Sequence, residues 1–392
     1  MTDSMPWQAP SGSPAPPASA PSPFGPPAAG TATPPGAPGW TPPPKPGLIP
    51  LRPLTLGTLL GAAFQVLRRN PRPMFGFALL LTGFVFIVTL VVVGVVSFLS
   101  IARTVNATGA DADTIAAGAA ATIILSAFVP AVLSIVVTAI LQGVVVLEVA
   151  RGTLGEKLKL SGLWRGAKGR IGALVGWALL ITAIVIVALA VVALIIGLLV
   201  AFGGTAGVAI GVVLGVLGVG GAIVLAFWLG TRLCLVPSVL MLERLSLRAA
   251  IARSWSLTTG FFWSTLGIQL LVAVIVQVVA GIVTAPLSLL FGLGTFLINP
   301  NDDQTGLIVG GVVLYLLTIV VSIVFGAIAA VVQSATTALI YIDLRMRKEG
   351  LDLELSRFVE ARQAGDSSVR DPYLPRSPNM VPPPAATPSP WS

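Results

Sequence analysis

The residues of this chain that could do chemistry are few, and what is missing narrows the possibilities first. Histidine is absent from all 392 residues, which removes the commonest general base, the usual metal ligand and any serine, histidine and acid triad. The single cysteine, Cys234, stands near Arg232 at the end of an apolar run. One thiol makes neither a disulfide framework nor a thiolate metal site, so packing is its expected role. The glycine-rich run GGTAGVAIGVVLGVLGVGG has neither the lysine nor the strand-to-helix setting of a phosphate-binding loop. Gly203, Gly207, Gly211 and Gly215 within it fall four residues apart and make a smooth ridge, suited to close helix contact within the monomer or, alternatively, to self-association. No catalytic, cofactor-binding or metal-binding residue is assigned.

What polar chemistry remains lies inside or beside apolar runs. Gln142, Gln269, Gln277 and Gln333, with Ser126, Ser134, Thr138, Ser334, Thr336 and Thr337, are uncharged and read either as hydrogen-bonding glue between helices or as a polar path through a bundle. Charged groups stay at the ends of the runs, so no buried acid or base is available for proton-coupled pumping. Three such ends are alike: VLEVARG with Glu148 and Arg151, VLMLERLS with Glu243 and Arg244, and LIYIDLRMRKEG with Asp343 and Arg345.

The elements that carry these residues are membrane spans. The chain is 55% hydrophobic, only 10% charged, and has a mean hydropathy of +0.95, more apolar surface than a water-soluble fold can hide. A span needs about 20 apolar residues to cross roughly 30 Å of hydrocarbon, and runs of that kind cover residues 74–101, 119–147, 171–200, 206–230, 263–298 and 307–342. The third and fourth, separated only by Phe202, Gly203, Gly204 and Thr205, form a helical hairpin. The fifth would be about 54 Å long as one straight helix, so Pro286 is expected to end its span near residue 284 and begin a short interfacial or re-entrant segment over 286–297. No basic segment followed by an apolar one opens the sequence, so the first span is expected to direct its own insertion.

Orientation follows from lysine and arginine. Seventeen of them, from Arg52 to Lys348, flank the starts of the odd spans and the ends of the even ones, whereas the opposite loops carry Arg103 alone with Asp111, Asp113, Asp302 and Asp303. Short basic flanks stay cytoplasmic, so both termini are expected on the cytoplasmic side of the cell membrane. Residues 1–50 hold 17 of the 32 prolines and only two charges, Asp3 and Lys45. They read as a disordered tail of polyproline II character, as does 365–392, leaving a membrane domain over 51–364. Flexible solvated ends and docking tails for proline-binding partners are the two readings, with Pro42, Pro43, Pro44 and Pro46 as docking residues in the second.

A basic amphipathic stretch precedes each odd span: TLGTLLGAAFQVLRRN, SGLWRGAKGR and SLRAAIARSWSLTTG, with Thr55, Ser161 and Ser246 as expected N-caps. In the first, Leu56, Leu60, Ala63, Phe64 and Leu67 recur at helical spacing. The fold class is therefore all-α and polytopic: six transmembrane helices in three units, each an interfacial helix followed by a helical hairpin. The basic stretches serve as topology anchors or as contacts to anionic lipid headgroups; nucleic acid is excluded as a partner because no basic, aromatic-interleaved soluble face exists.

Three stretches, IPLRPLTLGTLLGAAFQVLRRNP, SLRAAIARSWSLTTGFFWSTLGI and YIDLRMRKEGLDLEL, together resemble actinobacterial proteins of the glycerophosphoryl diester phosphodiesterase membrane domain family, over residues 48–358. The resemblance implies a multi-pass membrane module. It transfers no catalytic residue, because the family's phosphodiesterase chemistry belongs to a separate soluble barrel with histidines and metal-binding acids. The expected function is a non-enzymatic accessory or scaffolding module; a transporter or lipid-handling permease is the alternative, and a membrane enzyme acting on glycerophosphodiesters a third.

Overall fold

The structure, a computed structural model, describes residues 48–105, 111–297, 304–366 and 368–374. Most of the two proline-rich segments, and Asp302 and Asp303, fall outside them. Among the described residues every regular element is helical, and six stretches are long and apolar enough to cross a membrane: Arg72–Val105, Ala112–Thr153, Ile171–Leu199, Gly204–Leu242, Phe262–Leu290 and Gly310–Glu349. The protein is an integral, multi-pass membrane protein.

Each expected unit is present. A short helix, α1 (Leu56–Arg69), precedes a π-helical turn, Arg72–Gly76, and the span α2 (Phe77–Val105). The chain returns through α3 (Ala112–Ser126) and α4 (Phe128–Thr153). The second unit is α5 (Leu160–Lys168), α6 (Ile171–Phe202), α7 (Gly204–Leu233) and α8 (Val236–Leu242). The third is α9 (Leu247–Thr258), α10 (Phe262–Leu297) and α11 (Gln304–Glu349), followed by α12 (Leu351–Gln363). The spans carry large apolar side chains outward, among them Ile184, Ile186 and Val187 of α6 and Val212, Val216 and Leu217 of α7. In a soluble protein that surface would aggregate; here it faces lipid.

One proline departs from expectation and another breaks a span that was expected to be continuous. Pro130 cannot donate a backbone hydrogen bond to Ser126, and the second span breaks there into α3 and α4, with Ala127 bonding instead to the Ile124 carbonyl at 3.2 Å. Pro286, expected to end the fifth span, lies inside one continuous α10 running to Leu297. The hydroxyls of Thr284 and Ser288 donate to the carbonyls of Ala280 and Thr284, at 3.0 and 3.1 Å. Neither bond reaches the Ile282 carbonyl that Pro286 frees, so the helix carries the proline with that i→i−4 bond missing.

The hairpin turn between α6 and α7 is tighter than four residues. Gly203 alone separates the helices, and Gly204 has φ +56°, a backbone geometry that suits glycine. A Cβ on Gly203 or Gly207 would collide with the Leu199 carbonyl oxygen. The expected glycine ridge does pack inside the monomer: Gly207 and Gly211 are buried, and a Cβ on Gly215 would lie 3.6 Å from Ile196 of α6.

The short helices and the ends of the returning spans gather at one end of the bundle, where α4, α8 and α11 meet. Helix α1 packs against the protein by its apolar face, with Leu60, Phe64 and Leu67 partly buried beside Ala63. Its buried residues are Leu59, Ala62, Ala63 and Val66, packed against α11, while Leu56 is exposed. Thr55 caps α1 by accepting from the Thr58 amide. Ser246 stands at the N-cap of α9 without a side-chain bond, and Ser161 lies inside α5, whose N-cap is Lys159. The packed domain also runs beyond 51–364 at both ends: Leu48 and Ile49 are buried, and so is Tyr373, 2% exposed.

Exposed tryptophans ring the same end: Trp164 on α5, Trp228 near the end of α7, Trp255 on α9 and Trp263 at the start of α10. Arg232 sits 5.1 Å above the Trp255 ring and 5.5 Å from that of Phe262. Tryptophan and arginine together mark the level of the headgroups, where a ring with one polar edge is best placed.

Candidate functional site

The acid and base pairs that mark each return of the chain build a buried polar layer at the basic end. Glu148, Glu243 and Asp343 are all nearly inaccessible, at 2%, 2% and 8% exposure. A buried carboxylate must be matched by donors; each finds one on a different segment, although Glu148 Oε2 has none among the described residues and burial disfavours its charge. Asp343 accepts from the Leu54 amide at 2.7 Å and pairs with Arg347 at 2.8 Å, while Arg347 donates to the Leu54 carbonyl at 2.7 Å. That clamp holds the start of α1 on the end of α11. Glu148 accepts from Asn70 at 3.2 Å, and the same amide group donates to the Leu158 carbonyl at 3.1 Å.

Glu243 is the centre of the largest network. It pairs with Arg253 of α9 at 3.1 Å and accepts from the Tyr341 hydroxyl at 2.8 Å. Arg345 donates to that hydroxyl at 3.0 Å, and Glu349 bridges Arg345 and Arg253 at 3.0 and 2.6 Å. Arg345 also donates to the Tyr373 carbonyl at 3.2 Å, and the Tyr373 hydroxyl bonds Thr153 of α4. Burial pushes the Tyr373 phenol above its ordinary range, so it stays protonated. Arg151 meets Asp371 at 2.6 Å. Four elements are thereby tied together, and the segment 371–374 is part of the tie.

This layer divides the seventeen cations of the basic end into two groups. Arg69, Arg151, Arg170, Arg232, Arg253, Arg345, Arg347 and Lys348 spend their donors on protein groups. The rest are exposed and, among the described residues, have no hydrogen bond or ion pair from their side chains. Three of these, Arg72, Lys157 and Lys159, converge with Asn70, Pro73, Leu158 and Leu160 on one cleft of about 430 Å³. It lies where the first span begins and where the chain enters α5. Three exposed cations around a concave surface are suited to an anion, with Lys157 also near enough to act on the Glu148 carboxylate, and the neighbouring Trp164 is edge-on to Phe77 at 6.3 Å, a residue type typical of headgroup depth.

A second concave site lies deeper. Gln142 of α4, Gln269 of α10 and Gln333 of α11 converge on a cavity of about 450 Å³, with Trp177 and Ile181 of α6, Leu229 and Leu233 of α7, Cys234 and Thr337. Gln277, the fourth glutamine of the spans, is exposed and takes no part in it. The sequence singled out these amides one by one but gave no means of grouping them, because the three lie on three separate spans.

The sixfold span pattern, the basic end and the paired acids define a class, the polytopic α-helical membrane module. Residues 211–365 match the family model for the membrane domain of glycerophosphoryl diester phosphodiesterase. The match is to the membrane domain of that family, and it covers two of the three stretches that carry the resemblance; the first, beginning at Ile49, lies outside it. No curated protein and no solved structure matches the chain.

Proposed function

We propose that this protein is a non-enzymatic accessory module of the cell membrane that holds anionic lipids at its cytoplasmic face, with both termini on that side. The observation that carries the reading is the cleft of Arg72, Lys157 and Lys159, whose cations are exposed and make no hydrogen bond or ion pair among the described residues, although Lys157 also lies in the field of the buried Glu148 carboxylate. A phosphate at headgroup level would supply the missing charge. Each such cation contributes about 1 kcal/mol to anionic-lipid attraction, so three amount to about 3 kcal/mol, or roughly a hundredfold in affinity. The buried layer supplies a rigid platform for the cleft, and the proline-rich tails are the segments by which the module would recruit protein partners.

The test is retention of phosphatidylglycerol over phosphatidylcholine by the full chain, purified from nanodiscs of equal composition and read by native mass spectrometry. The parent should keep the anionic lipid, and Arg72→Gln, Lys157→Gln and Lys159→Gln together should abolish the preference. Equal retention of both lipids by the parent would refute it. The glutamine-lined cavity favours a second reading, a lipid-handling permease; lipid-dependent flux or scrambling by the pure protein in liposomes would establish that one instead.

A further inference from the structure

The cavity between α4, α6, α7, α10 and α11 is built for a ligand with hydrogen-bonding groups and no charge. Its polar lining is Gln142, Gln269, Gln333, Thr337 and Cys234, and no Lys, Arg, Asp or Glu contributes to it. Among the described residues the carboxamides of Gln142 and Gln333 have no hydrogen-bond partner, whereas Gln269 reaches the Cys234 thiol. The Thr337 hydroxyl is occupied by the Gln333 carbonyl at 3.0 Å, and the Cys234 thiol by that of Thr231 at 3.1 Å. Two amides, each offering two donors and an acceptor, are thus left facing an empty volume in a region where unmatched polar groups are costly.

Depth fixes what can reach them. Gln269 lies two turns into α10 from Phe262, and Gln142 three turns from the end of α4 at Thr153. At 1.5 Å per residue these are about 10 and 16 Å below the basic end, past the headgroups and into the upper hydrocarbon. The rim settles the direction of entry. Val185 of α6, 48% exposed, and Ala226 of α7 are both lining residues and both open to the outer, lipid-facing surface of the bundle. Trp177, Ile181, Leu229 and Leu233 make the remaining wall apolar. A ligand entering sideways from the bilayer, carrying hydroxyl and carbonyl groups at that depth and no charge, is a neutral glycerolipid.

We infer that this cavity is a binding site for the uncharged glycerol and ester portion of a diacylglycerol-type lipid, with the carboxamides of Gln142 and Gln333 bonding its hydroxyl and ester oxygens. The volume, about 450 Å³, is within the range of small-ligand pockets and accommodates the polar head with the first acyl carbons, the chains leaving past Val185 and Ala226. Phosphate-bearing lipids are selected against because nothing in the lining neutralises a charge. This site gives the permease reading its ligand, but it stands whether or not anything is transported.

The experiment uses the full chain in phosphatidylcholine nanodiscs containing a photoactivatable diacylglycerol, with cross-linked peptides mapped by mass spectrometry. Labelling should fall on the 177–185, 226–234 and 269 segments, be displaced by unlabelled diacylglycerol and resist phosphatidylglycerol. Gln142→Leu and Gln333→Leu, close in size to glutamine, should each weaken labelling about fivefold, the loss of one hydrogen bond, with the melting temperature held as the check on folding. Labelling that follows lipid exposure over the whole bundle, or that phosphatidylglycerol displaces equally, would overturn the inference. So would labelling unchanged by both substitutions in folded protein, which would leave the cavity holding water only. Binding without flux in liposomes removes the permease reading and leaves the site; failure of both removes both.

Discussion

Glu243 is the position where one substitution should be felt most. Its side chain is 1% exposed, pairs with Arg253 at 3.1 Å and accepts the Tyr341 hydroxyl at 2.8 Å. Glu243→Ala would leave Arg253 and Arg345 with Glu349 as their one shared acid, and the Tyr341 hydroxyl, still accepting from Arg345, would have no acceptor for its proton in a buried layer. Removing one partner of a buried pair costs about 3–5 kcal/mol. The lower end applies, near 3 kcal/mol, because Arg253 is 29% exposed and can turn part of its guanidinium to water. Glu243→Gln retains an acceptor for Tyr341 and loses only the charge, so it should cost about half as much. The assay is thermal unfolding of the detergent-solubilised chain, followed with a dye that fluoresces on reacting with Cys234, the sole thiol in the sequence. At about 2–4 °C per kcal/mol for a domain of this order of size, the alanine variant should melt about 6–12 °C lower. Melting within 2 °C of the parent in the alanine variant, or a larger loss from glutamine than from alanine, would show that the layer does not hold the basic end together.

Four other outcomes follow from the same geometry. Gly207→Val should open the α6–α7 hairpin and lower yield or melting temperature, since its Cβ would meet the Leu199 carbonyl oxygen, whereas Gly215→Ala, with 3.6 Å to Ile196, should be nearly silent. Tyr373→Phe should cost about 1 kcal/mol through its lost bond to Thr153, read as a melting shift. Truncation after residue 364 should destabilise more than truncation after 374, because only the first removes Tyr373 and the Asp371 partner of Arg151. In a Cys234→Ser background, Lys157→Cys should react with an impermeant maleimide only after the cells are opened and Asp113→Cys in intact cells; the reverse would invert the assigned topology.

The spans were legible because crossing a bilayer imposes a length and an apolar composition that few other structures demand, and each predicted run lies on helix, the second on two. Their exact ends were not, since Pro130 breaks its span and Pro286 does not, a difference that composition does not encode. The acids at the ends of the returning spans were readable as a repeated motif. That Glu243 would meet Arg253 on the following helix and Tyr341 from about 100 positions away depends on how the three hairpins close. The same holds for α1, whose helical apolar spacing was legible but whose packing against α11 was not. Gln142, Gln269 and Gln333 meet only in the folded bundle.

The most direct test of the proposed role is purification of the intact chain from native membranes in mild detergent beside a chain lacking residues 1–46 and 375–392, with bound lipids and proteins identified by mass spectrometry. The account predicts anionic lipid enriched on both chains and lost with the Arg72, Lys157 and Lys159 substitutions, and a protein partner in near-equal amount on the intact chain only. Lipid in the proportions of the bulk membrane on both chains, with no protein retained on either, would contradict it.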